Sequence, residues 1–111
     1  MLESQKTRGS KSYCIGYSKT LQKYILSSVV KWIAWYNRYF EISEEEYNYG
    51  TDKIELLDEI ARECAEQGVE SARYLCSDRD DENETGNRKD TYAALKKGMI
   101  PYDGDKLGSL D

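Results

Sequence analysis

The sequence predicts an all-α domain: three to four helices around a long central aromatic-rich helix at about residues 19–41, with extended polar termini. Three observations carry that prediction. Wound at about 100° per residue, Leu21, Tyr24, Ile25, Leu26, Val29, Trp32, Ile33, Trp35, Tyr36, Tyr39 and Phe40 fill an arc of about 200°. Strand alternation fits the stretch less well, because Ser, Lys and Asn then fall on both faces. Charged residues make up 33% with a single proline, a mixture that favours helices over a loop-rich scaffold.

Taken in order, residues 1–17 read as an extended polar and basic arm, and Ser18 as the N-cap of the long helix. The arc of that helix exceeds the stripe of about 100° that a helix resting on one core requires. Such a helix needs several neighbours, more than a chain of 111 residues readily supplies. Ser43 and Glu46 form a capping box, with Ile42 and Tyr47 placed as a hydrophobic staple, so a short helix begins there and stops near Gly50. Thr51 caps a third helix, with Asp52 and Glu55 near its positive end. Ile54, Leu57, Ile60, Ala61, Cys64 and Ala65 form its buried stripe, Gly68 its cap or kink, and Val69–Cys76 a helical continuation. Residues 77–89 are acidic and nearly free of apolar side chains, a loop. A last helix from about Arg88 to Lys97 turns Tyr92 and Leu95 inward, Gly98 ends it and Pro101 prevents its resumption. The helical domain thus spans 18–98, followed by an extended tail at 99–111.

Charge is sorted along the chain. The net charge is +6 over residues 1–40, −12 over 41–84 and +1 over 85–111. Such segments attract their complements within one chain or in another. Met1–Tyr13 lacks the apolar run of a signal peptide, and the apolar stretch Leu21–Phe40 is interrupted by Lys23, Lys31, Asn37 and Arg38. The expectation is a cytoplasmic or assembly-bound protein, not secreted and without a transmembrane segment. Three widely spaced cysteines, Cys14, Cys64 and Cys76, then read as reduced thiols, and the Asn83-Glu84-Thr85 sequon as chance.

Motifs with chemistry are weak. With no histidine, no phosphate-cradling glycine loop and no Cys-x-x-Cys pair, the expectation is no enzyme, no cofactor and no metal. Ser28-Val29-Val30-Lys31 matches a Ser-x-x-Lys spacing without the further motifs that serine acyl enzymes need. Asp78, Asp80 and Glu82 resemble the opening of a calcium loop, but Asn83 replaces its glycine and Lys89 its bidentate acid.

What remains is surface. Seven aromatic rings lie between Trp32 and Tyr49, more than a thin helical domain covers. The leading expectation is therefore a non-catalytic protein–protein interaction protein: a small subunit or adaptor of a larger assembly, phage or mobile-element products included, or an inhibitor. It contacts a protein partner, or a second copy, through Trp35, Tyr39, Tyr47 and Tyr49 and the acidic Glu59, Glu63 and Glu66. Trp35 is assigned to association and Trp32 to the fold. One alternative is nucleic-acid binding through Lys6, Arg8, Lys11, Lys23 and Lys31, or through a helix-turn-helix over Ile54–Cys76. Another is an acidic mimic of nucleic acid built on the third helix and the acidic loop.

Overall fold

The computed structural model describes residues 2–97 and 108–111, and a six-stranded mixed sheet replaces the expected helical bundle. The first four strands are β1 (Leu2–Arg8), β2 (Tyr13–Ser18), β3 (Lys23–Val30) and β4 (Tyr36–Ile42). Helices α1 (Glu44–Asp52) and α2 (Ile54–Gln67) follow, then β5 (Tyr74–Ser77), α3 (Arg88–Lys96) and β6 (Gly108–Ser109). Short 3-10 turns occupy Gly9–Lys11, Gly68–Glu70 and Asp80–Glu82. The strand order is β5-β4-β3-β2-β1-β6, antiparallel throughout except that β6 runs parallel to β1.

The long central helix is the main correction. Residues 23–42 form a β-hairpin whose register runs from Tyr24 opposite Ile42 to Val30 opposite Tyr36. One face of the hairpin, with Leu26, Phe40 and Ile42, packs with Tyr13 and Ile15 under Tyr47 of α1 and Leu57, Ala61 and Cys64 of α2. The other face, with Ile25 and Tyr39, packs with Leu2 and Cys76 under Leu95 of α3. A strand covered on both sides has no polar face, so its sequence reads as a nearly continuous apolar run. Ser27 and Ser28 are both buried, one on each side, and erase the alternation that would have marked a strand.

The polar arm is corrected too, since residues 2–18 supply β1 and β2. Ser18 does cap, but its hydroxyl accepts from the Leu21 amide at 3.2 Å in the β2–β3 turn rather than opening a helix. The helical continuation of Val69–Cys76 becomes a 3-10 turn and the edge strand β5, which removes the second helix of any helix-turn-helix. The capping box stands as read: Glu46 N–H donates to the Ser43 hydroxyl and Ser43 N–H donates to Glu46. Gly98 and Pro101, assigned to the end of the last helix, lie outside the described residues, as does the tail over 99–107. Residues 108–111 return to the body. Leu110 packs on the α1–α2 side of the core, and Asp111 accepts from Arg8 and Ser10.

Candidate functional site

The turn joining β3 to β4 is Lys31-Trp32-Ile33-Ala34-Trp35, and all five residues are exposed. Trp32 is 64% exposed, Ile33 95% and Trp35 69%, three of the four large apolar side chains that stand in solvent among the described residues. Hairpin turns ordinarily carry Gly, Asn, Asp or Pro, which supply the backbone geometry and stay hydrated. Here two indoles and an isoleucine take their place. Lys31 Nζ lies 5.3 Å from the Trp35 ring centroid, a cation–π contact that leaves the charge in water.

Side-chain contacts hold the base of the tip. Tyr36 donates its hydroxyl to Glu82 at 3.0 Å, and the guanidinium carbons of Arg38 and Arg79 lie 5.7 and 5.6 Å from its ring. Arg38 grips Glu82 with two bonds, of 3.0 and 2.7 Å. That guanidinium, with the hydroxyls of Ser77 and Tyr36, pushes the Glu82 carboxyl down to about 2. These contacts fix Tyr36 and Arg38, where β4 leaves the turn.

Comparison with protein-family models, with curated proteins and with solved structures finds no match. The site rests on its own geometry.

Of the residues singled out from sequence, Trp35 stands on the tip, and Trp32, assigned to the fold, stands there beside it. Ile33 is the site residue the sequence reading misses; its signal is a stretch without any turn residue between two segments rich in aromatic and β-branched side chains. Tyr39 and Tyr47 are buried, at 3% and 8% exposure, and belong to the core. Tyr39 donates to Asp78 and Tyr47 to the Ser4 carbonyl, and burial raises the pKa of both hydroxyls. Tyr49 is half-buried against the core with Lys53 over its ring. Glu59, Glu63 and Glu66 are exposed on α2, and Arg62 bridges Glu59 and Glu66.

Most of the basic residues are engaged within the chain. Lys6 lies over the Tyr47 ring, Arg8 is held by Asp58 and Asp111, and Lys23 pairs with Glu41. Lys11 sits on an exposed 3-10 turn and Lys31 on the tip. Acidic charge, by contrast, is concentrated. Residues 43–70, spanning α1 and α2, carry ten Asp/Glu against two Lys/Arg, while residues 88–97, spanning α3 on the opposite face, carry four Lys/Arg against one Asp. The charge sorted along the chain becomes charge sorted across the sheet.

The three cysteines are free thiols, and burial pushes Cys64 up to about 11 and Cys76 up to about 12. Among the described residues there is no group of three or more His, Cys, Asp or Glu that could hold a metal ion, and no helix long and apolar enough to cross a membrane.

Proposed function

We propose that this chain is a non-catalytic binding protein that docks Trp32, Ile33 and Trp35 into an apolar site on a protein partner. The exposed β3–β4 tip carries this reading, since large apolar groups in a hydrated turn cost solubility and are retained where contact compensates. Tryptophan supplies wide contact area with few rotatable bonds, the character of an interface anchor. The clamped base at Tyr36 and Glu82 fixes the point where β4 leaves the turn.

The test is recovery of partners from the source cells with wild-type bait and with a Trp32→Ser/Trp35→Ser variant. Loss of the recovered partner with the variant, with its circular dichroism and unfolding midpoint retained, is the expected result. Equal recovery by both baits refutes the tip as the anchor, and capture of vesicles in place of protein assigns it to a lipid surface.

A second reading is favoured by the acidic layer of α1 and α2, which could occupy the cationic groove of a protein that normally holds nucleic acid. Glu59, Glu63 and Glu66 line one exposed stretch of it. Reversing their charge abolishes inhibition of such a protein on this reading; inhibition that persists removes it. Direct nucleic-acid binding draws less support, because the cations it needs are mostly engaged within the chain.

A further inference from the structure

We infer that the outer edge of β1 is a recognition site for an extended protein segment of the pattern glycine, any residue, leucine, acid, and that residues 108–111 occupy it as the chain's own displaceable ligand. The site uses none of the tip residues. Three kinds of contact meet there. Along the backbone, β6 runs parallel to β1 with Gly108 opposite Lys6 and Ser109 opposite Thr7, and the Leu110 amide donates to the Thr7 carbonyl at 2.8 Å. The Leu110 side chain packs on the α1–α2 side of the core, where Gly50 of α1 leaves room for it. A Cβ at Gly50 would lie 3.0 Å from Leu110 Cδ2. The Asp111 carboxylate accepts from the Ser10 amide at 3.0 Å, the Ser10 hydroxyl at 2.6 Å and Arg8 Nη1 at 3.0 Å. Gly9 clears its approach, since a Cβ there would stand 3.2 Å from Asp111 Oδ2. Main-chain bonds to a sheet edge, joined to places for particular side chains, are how strand-adding peptides are recognised.

The receiving groups are oriented by the body of the protein. Asp58 of α2 accepts from Arg8 Nε at 3.2 Å and Nη2 at 3.0 Å, and Tyr13 donates its hydroxyl to the same carboxylate at 2.7 Å. Arg8 Nη1 is thereby left to residues 108–111, where it also donates to the Leu110 carbonyl at 3.3 Å. A guanidinium held by one carboxylate and offering its remaining donors to a second is a specific acceptor of an acidic side chain. The site is bounded as well. Ser4 takes a left-handed φ of 50° and the β1–β2 register shifts between Glu3 and Lys6, so a bulge interrupts the edge before Lys6. At Gly108 a Cβ would lie 3.3 Å from the Gln5 carbonyl oxygen, which sets the glycine of the pattern. The hold on the segment is slight: its ladder is two residues long and parallel, the weaker pairing per residue, and Gly108, Ser109 and Asp111 are exposed. A segment of the same chemistry on another protein makes every one of these contacts, and only the covalent tether favours the chain's own.

Peptide exchange tests this. A fluorescein-labelled peptide carrying Gly-Ser-Leu-Asp is titrated into the full chain, as wild type and as Leu110→Ser/Asp111→Asn, and followed by anisotropy, with circular dichroism to verify folding. The double variant vacates the site and is expected to bind the peptide at least about tenfold more tightly than wild type, whose own segment competes. Gly50→Ala or Gly9→Val, added to the double variant, each closes one of the two side-chain places and weakens binding several-fold. A peptide carrying Gly-Ser-Ser-Asn does not bind. In wild type at millimolar peptide, hydrogen exchange of the Leu110 amide quickens as the segment is displaced. A folded double variant that binds no peptide, or binding that neither added substitution weakens, overturns the inference. So does a double variant that loses its fold, joined with Leu110 exchange that excess peptide leaves unchanged in wild type, because residues 108–111 are then part of the fold and not a ligand.

Discussion

At the scale of single residues, exposure separates side chains that resemble each other in sequence. Trp32 and Trp35 stand in solvent, whereas Tyr39, a few residues on, is buried beneath α3. Trp32→Ala and Ile33→Ala are therefore expected to shift the unfolding free energy by less than about 0.5 kcal/mol, the range of surface changes, as measured by urea denaturation. Tyr39→Phe keeps the ring but removes a hydroxyl that donates to Asp78 at 2.9 Å and accepts from Lys96 at 3.0 Å. The same measurement should report a loss of about 1–2 kcal/mol. A large loss from Trp32→Ala would mean that the tip folds back on the body.

At the scale of elements, two joints hold helices to the sheet. Gly68 ends α2 at φ +55°, ψ −129°, a backbone region that side chains with a Cβ rarely adopt, and an added Cβ would lie 2.8 Å from Arg38 NH1. Gly68→Ala should cost about 1–3 kcal/mol in the same denaturation experiment, with Gly86→Ala, whose Cβ meets nothing within 4 Å, losing less. Asp78 forms the second joint. It accepts from the Asn37 amide and the Tyr39 and Tyr92 hydroxyls at 3.0, 2.9 and 3.0 Å, with Lys96 at 3.3 Å. Burial alone would raise its pKa, but these donors outweigh burial and hold it below the ordinary value. Asp78→Ala is expected to speed hydrogen exchange in α3 well before α2, because α3 is the helix that Tyr92 and Lys96 tie down. Uniform loss of protection in both helices would count against a local role.

At the scale of the whole molecule, three arginine–carboxylate pairs join segments distant in sequence: Arg8 with Asp58, Arg38 with Glu82 and Arg73 with Glu46. In each, the guanidinium lowers the carboxyl pKa, for Glu82 to about 2. A carboxyl depressed in the folded state contributes stability that is complete above its unfolded pKa, near 4, and is lost as pH falls through the folded value. Glu82→Gln should thus cost about 1–2 kcal/mol at pH 7, with the gap to wild type narrowing between about pH 4.5 and 2.5 in urea titrations. A gap that widens with acid would contradict the pairing.

What the sequence determined by itself was local. The capping box at Ser43 and Glu46, the apolar stripe of α2, and the last helix from Arg88 were legible because each depends on residues a few positions apart. Of the seven rings between Trp32 and Tyr49 only Trp32 and Trp35 are exposed, although the sequence assigned Trp32 to the fold. Only the tertiary structure decided that residues 23–42 are a hairpin, since burial on both faces removes the period-two pattern and an apolar turn removes the punctuation. For the same reason Ile33 and Trp32 came to light only in three dimensions: whether an apolar side chain is core or contact depends on what the rest of the chain covers, and that is settled by strands brought together from both ends of the molecule.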